Sequence, residues 1–311
     1  MFETWRSNAI YKVFSAIFSF KASEFMVKCE KTSLKGQKMA TLHEKLWLMG
    51  EDPDGHYSDD GETGLPNQYN LPGHSRMTAI EGLYYLDIPN MCRVRIKGSP
   101  MPPYDQHSEA MRPCREVTWS LLGAGGDPSL GWTDTDEVIK QANMYPNITG
   151  GFYDDFFGER RRTYYTPDKL REIRKRCDDG VKGRKLDMWV TLYEYNLEQI
   201  PNVKDWLDEF DVITLWVWRA SNLPKLEEYY KQLRSIAPDK RIVAGMFMWN
   251  YGERRPMTVS DMEFQADFYL RSMKEGWLEG IMVCGNPVCD LGLDSVEWTR
   301  NWIQAHKNDV F

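Results

Sequence analysis

Two adjacent acids, Asp154 and Asp155, close an apolar run that opens at Ile148 (ITGGFYDDFFG, through Gly158), and they are the residues of this chain best suited to chemistry. Paired carboxylates divide acid–base work: one gives a proton to a leaving oxygen while the other attacks carbon or activates a water. They could instead brace the following loop by accepting backbone N–H bonds, and both uses stay open. Other apolar runs end in similar residues. Glu51 and Asp52 end KLWLMGED, and Glu194, Tyr195 and Asn196 end LDMWVTLYEYN. Trp216, Trp218 and Arg219 end DVITLWVWRAS, Trp249, Asn250 and Tyr251 end RIVAGMFMWNYG, and Cys284 and Asn286 end GIMVCGNP. The set is rich in carboxylates and aromatic rings and poor in histidine.

The elements that must carry these residues repeat. Short apolar runs near residues 45, 91, 116, 148, 186, 211, 241 and 279 read as strands buried on both faces, and each is followed by a helical pattern. Within that alternation Thr166 and Pro167 mark a helix start, and Thr133 or Asp134 is expected to cap the helix before Ile148. Eight strand–helix units in one run, with no internal boundary, predict a single (β/α)8 barrel of the α/β class over residues 41–311. In that fold the C-terminal strand ends form the active face, where the residues above gather. Strand parity predicts that Gly151, Tyr153 and Asp155 face the barrel interior and that Asp154 does not. The same parity leaves Glu194 open to a salt bridge behind the barrel.

On strand order, an acid-bearing fourth strand and aromatic strand ends, the chain resembles the TIM-barrel glycoside hydrolase superfamily over about residues 42–306. The resemblance implies a carbohydrate substrate and cleavage of a glycosidic bond by carboxylate acid–base catalysis. Such hydrolysis needs one acid to protonate the leaving oxygen and a second carboxylate as nucleophile or base. Neighbouring strands lie roughly 4.8 Å apart, so acids on the fourth and fifth strands can reach the separations of roughly 5 to 9 Å that such enzymes use. Asp154 or Asp155 is therefore paired with Glu194 as the catalytic set, with Glu51 in reserve. Glu51, Trp216, Trp218, Arg219, Trp249, Asn250, Tyr251 and Asn286 are expected to bind substrate. The best-known retaining members carry glutamates at the ends of the fourth and seventh strands, whereas this seventh run ends in Trp249 and Asn250, with Glu253 farther along. An inverting or substrate-assisted route stays open. Two other readings also stand: a metal-dependent sugar isomerase or epimerase, and a noncatalytic carbohydrate-binding barrel.

Composition bounds the rest. A net charge of −7 argues against nucleic acid as partner, because binding phosphates needs basic surface that displaces counterions. The densest basic cluster, GERRR at residues 158–162, is either a solvated loop or a clamp for an anionic substrate. None of the six cysteines forms a CxxC pair, so no metal or cofactor is expected. GAGGD after the third strand lacks phosphate-loop spacing and reads as a turn around Gly123, Gly125 and Gly126. The long loop at residues 53–76, with His56, Tyr57, Tyr69 and His74, is a candidate lid over the strand ends. Residues 1–40 read as an extension, an amphipathic helix or an upstream start, and the run from Ala9 to Phe20 is too short to span a bilayer. A soluble chain is expected, with cytoplasm and export both open.

Overall fold

A computed structural model describes residues 39–57, 67–122 and 131–311. The amino-terminal extension through residue 38, the part of the lid at residues 58–66 and the glycine turn at residues 123–130 lie outside the described residues. Residues Thr41–Phe311 form one compact unit.

Eight parallel strands close into a barrel: β1 Leu46–Gly50, β2 Asn90–Arg93, β3 Glu116–Leu122, β4 Ile148–Tyr153, β5 Asp187–Tyr193, β6 Val212–Trp216, β7 Arg241–Phe247 and β8 Gly280–Cys284. Each strand pairs with its sequence neighbours, and β1 closes the circle on β8 in the register Leu46↔Ile281 through Met49↔Cys284. Val, Ile, Leu and Met dominate the strands because both faces are covered, one by the barrel's own interior and one by the helices. Helices follow the predicted start signals. Thr78 caps Ala79–Leu86 in a capping box with Glu81, and Thr166 caps Pro167–Gly180 by accepting from Lys169 N. The expected cap before β4 is different: the helix runs Gly131–Met144, so Asp134 sits inside its first turn. There its buried carboxylate takes Arg95 Nη1 at 2.6 and 2.5 Å.

The interior is a packed core. Trp47 of β1 and Trp189 of β5 meet across it with ring centroids 4.7 Å apart, which sets the inward parity of both strands. Small residues make room for these rings. A Cβ on Gly150 would lie 2.8 Å from Trp189 Nε1, and one on Gly245 would lie 2.1 Å from the Trp216 ring. Gly150 and Phe152 therefore point inward and Tyr153 outward, where it packs on Phe156, Tyr165 and Phe210. This reverses the parity expected for β4, and the next inward position belongs to Asp154. Because both faces of a parallel strand are apolar, alternation gave no cue to which face was which.

Two strand ends also fall earlier than expected. β7 stops at Phe247, and Trp249–Asn250 form a short antiparallel pair with Arg255–Pro256. β5 stops at Tyr193, and Glu194 opens the helix Glu194–Gln199. Among the described residues, no helix is long and apolar enough to cross a membrane.

Candidate active site

The C-terminal strand ends surround a cavity of about 720 Å3, within the range of small-molecule sites. Asp154 and Asp155 both line it. Asp154 is 5% exposed, continues β4 beside Thr191 of β5, and accepts from Thr191 Oγ1 at 2.9 Å. Burial first, and the neighbouring Asp155 second, push its carboxyl well above the ordinary range, so it tends to keep its proton.

Asp155 leaves strand geometry with φ +45°, a left-handed conformation that Asp tolerates better than most residues. The turn swings its side chain back over the cavity, where Tyr193 Oη donates to its Oδ1 at 2.7 Å. Arg161 holds the turn by donating from one nitrogen to the carbonyls of Asp154, at 2.8 Å, and Asp155, at 2.7 Å. Burial raises the Tyr193 and Tyr195 phenols, with Asp155 adding to both, so each remains a neutral donor.

Glu51, 1% exposed at the end of β1, faces the same cavity. Its backbone is clasped by Asn286, which accepts from Glu51 N at 2.8 Å and donates to Glu51 O at 3.1 Å. His56 Nε2 lies 3.1 Å from Glu51 Oε2, and Tyr251 Oη lies 2.7 Å from His56 Nδ1. Asp52 turns aside to Arg93 and Ser99.

The remaining predicted residues divide. Trp218 and Tyr251 line the cavity with nearly parallel rings, 18° apart at 5.9 Å. Trp216 lies beneath it against Phe247. Trp249, Asn250, Arg219 and Asn286 are outside the lining. Trp249 donates to Tyr69 O, Asn250 is bound to Glu253, and Arg219 is exposed. Glu194 is likewise outside the lining: its carboxylate accepts from Trp218 N at 2.9 Å and Asn222 Nδ2 at 3.1 Å. It positions Trp218 from behind. Tyr193, Met49, Phe247 and Lys97 line the cavity without having been predicted, and His56 and Tyr69 enter from the lid. Tyr193 was legible in principle as the last inward residue of β5, two positions after Thr191.

No family model matches the chain, and no curated protein matches it. Solved structures do. A Bacteroides thetaiotaomicron protein assigned as an alpha-L-fucosidase aligns over 89% of this chain and 100% of its own, with TM-score 0.53 and 11% identity. A xylanase-alpha-amylase inhibitor protein solved with trehalose aligns over 85% and 98%, with TM-score 0.51 and 12% identity. The GH99 endo-alpha-mannosidase from the same Bacteroides species covers 86% and 98%, with TM-score 0.50 and 9% identity. The fold they share with this chain is the TIM barrel. At these identities the likeness is one of architecture, and the chemistry must be argued from the side chains.

A second depression, about 560 Å3, lies on the outer helices among Asp136, Arg176, Lys175 and Asp179. Lys175 pairs there with Asp179, and Arg176 with Asp136.

Proposed function

We propose that the protein is a glycosidase in which Asp154 and Asp155 carry the acid–base chemistry at the C-terminal face of the barrel. The observation that carries this reading is the pair itself: two adjacent carboxyl groups share one cavity, and the inner one is held toward its protonated form by burial. Asp154 is then the proton donor to the leaving oxygen. Asp155, oriented by Tyr193, is the partner that stabilises positive charge at the reacting centre or activates the nucleophile. Trp218, backed by the buried Tyr251 ring, offers a ring face for a sugar, and Glu194 acts as a positioning residue behind Trp218. Lys97, Arg160, Arg161 and Arg162 are among the residues that line the cavity, which favours a glycan bearing an acidic substituent.

The test is hydrolysis of neutral and anionic glycans and aryl glycosides by wild type, Asp154→Asn, Asp155→Asn and Glu194→Gln, with folding checked by circular dichroism. Turnover abolished in folded Asp154 and Asp155 variants, and only weakened in the Glu194 variant, is the expected result. Wild-type turnover that survives both aspartate changes overturns the assignment. The likeness to the xylanase-alpha-amylase inhibitor protein favours one second reading, a noncatalytic carbohydrate-binding barrel. Glycan binding without turnover by wild type would select it.

A further inference from the structure

Glu51, His56 and Cys284 bring three different metal-ligating groups to one point of the cavity. Their ligand atoms all lie within 4.8 Å of one another. Glu51 and Cys284 come from the adjoining strands β1 and β8, where Met49 pairs with Cys284. His56 arrives from the loop after β1, which closes over the carboxylate at Gly55, where a Cβ would stand 3.2 Å from Glu51 Oε2.

The Glu51 carboxylate is the decisive member. It is buried, and among the described residues its Oε2 receives no hydrogen bond, although His56 Nε2 lies 3.1 Å away. The approach has ion-pair length without hydrogen-bond alignment. A buried carboxylate oxygen without a donor is costly, and one aimed at an imidazole nitrogen is arranged as two ligands of one ion are. Tyr251 Oη sits 2.7 Å from Nδ1, the other ring nitrogen, and fixes the ring with Nε2 turned toward Glu51.

We propose that these three residues bind a single divalent ion of the zinc type, with the fourth position open to the cavity. Mixed nitrogen, sulfur and oxygen ligands suit zinc and cobalt better than magnesium or calcium, which prefer oxygen alone. Tetrahedral zinc with bonds of roughly 2.0 to 2.3 Å places neighbouring ligand atoms roughly 3.3 to 3.8 Å apart. The Glu51–His56 separation is already that short, and Cys284 closes in by up to about 1 Å on binding. Binding exchanges the Cys284 thiol proton for the metal and releases it to solvent, so affinity rises with pH. Three protein ligands beside an accessible cavity form an open site, where a water or a sugar oxygen completes the shell. This site goes beyond the glycosidase reading and does not rest on it. It also departs from the expectation, drawn from cysteine spacing, of a chain without metal, because its one cysteine ligand lies far in sequence from Glu51 and His56.

The test is titration of the full chain, stripped with a chelator, with Co2+ followed by absorption and by metal analysis, then displacement with Zn2+. One Co2+ per chain, a thiolate-to-cobalt charge-transfer band and displacement by Zn2+ are expected. Cys284→Ser should remove the band, His56→Ala should weaken binding at least about 100-fold, and Tyr251→Phe about 10- to 100-fold. Should Cys284→Ser fail to fold, the loop variant His56→Ala decides. Failure of wild type to bind Co2+, or binding that is indifferent to the Cys284 and His56 changes, overturns the site and leaves Glu51 and His56 as an ion pair. No glycan enters the measurement, so an absence of hydrolysis bears on the glycosidase reading alone.

Discussion

Tyr193 Oη donates a hydrogen bond to Asp155 Oδ1 at 2.7 Å. It is the contact through which β5 orients the outer of the two cavity acids, as Thr191 does for the inner one. Tyr193→Phe keeps the ring and removes the donor. Hydrogen bonds to charged groups contribute about 1.5 to 3 kcal/mol, so turnover should fall roughly ten- to a hundredfold. Comparison of kcat with KM on the best substrate of the panel checks it. A rise in KM with kcat unchanged would mean that Tyr193 only binds sugar.

Asp154 carries a pH signature. Its carboxyl is raised above the unfolded value near 3.8, so between those two values the folded chain binds the extra proton. Its contribution to stability is then greatest in acid and declines as pH rises from about 4 toward the folded value. Asp154→Asn removes that decline while still accepting from Thr191. The melting temperature of the variant, relative to wild type, should climb as pH is raised from 4 to 8. A constant difference across that range would refute the buried-acid account.

Glu253 has the opposite sign. Hydrogen bonding from Ser221, opposed by burial and reinforced by Asn250 and Arg255, lowers its carboxyl from 4.5 to about 2. Its stabilising contribution is complete above about 4.5 and is lost as pH falls toward about 2. Glu253→Gln should flatten the acid limb of a stability–pH curve measured by urea unfolding, and should loosen the Asn250 turn. Superimposable acid limbs would show the clasp to be energetically idle.

Gly245 tests the packing beneath the site. Replacing glycine with alanine ordinarily gains about 0.4 to 1 kcal/mol by restricting the unfolded chain. Here the new Cβ would overlap the buried Trp216 ring at 2.1 Å, and overpacking of this kind costs about 1 to 3 kcal/mol. The clash wins, and Gly245→Ala should lower the melting temperature. An unchanged or higher value would mean that the core yields around Trp216.

The barrel was legible because its signal is repeated. Strand starts expected near residues 91, 116, 148 and 241 fall at Asn90, Glu116, Ile148 and Arg241. The acids of β4 were legible as a pair, but their orientation was not, since Gly151 and Phe152 read equally well as inward residues until the Trp189 ring claims the space at Gly150. Glu194 looked catalytic because it ends an apolar run, yet β5 stops one residue earlier and the carboxylate turns to Trp218 N. Trp249 and Asn250 misled in the same way, lying in a hairpin past the end of β7. His56 and Tyr69 could be assigned only to a loop, because periodicity carries no information about where a loop folds back.

The Asn286 clasp joins residues 235 positions apart, and beside it the register of β1 on β8 seals the barrel. Such a pairing forms only after the chain has been made through Asn286, and closing so long a loop is entropically slow. During synthesis, then, Glu51 emerges early but stays unanchored until the last strand arrives. A chain cut before Gly280 loses Asn286 and Cys284 together, so ribosome-bound or proteolysed fragments should hold most of the strands and none of the finished site.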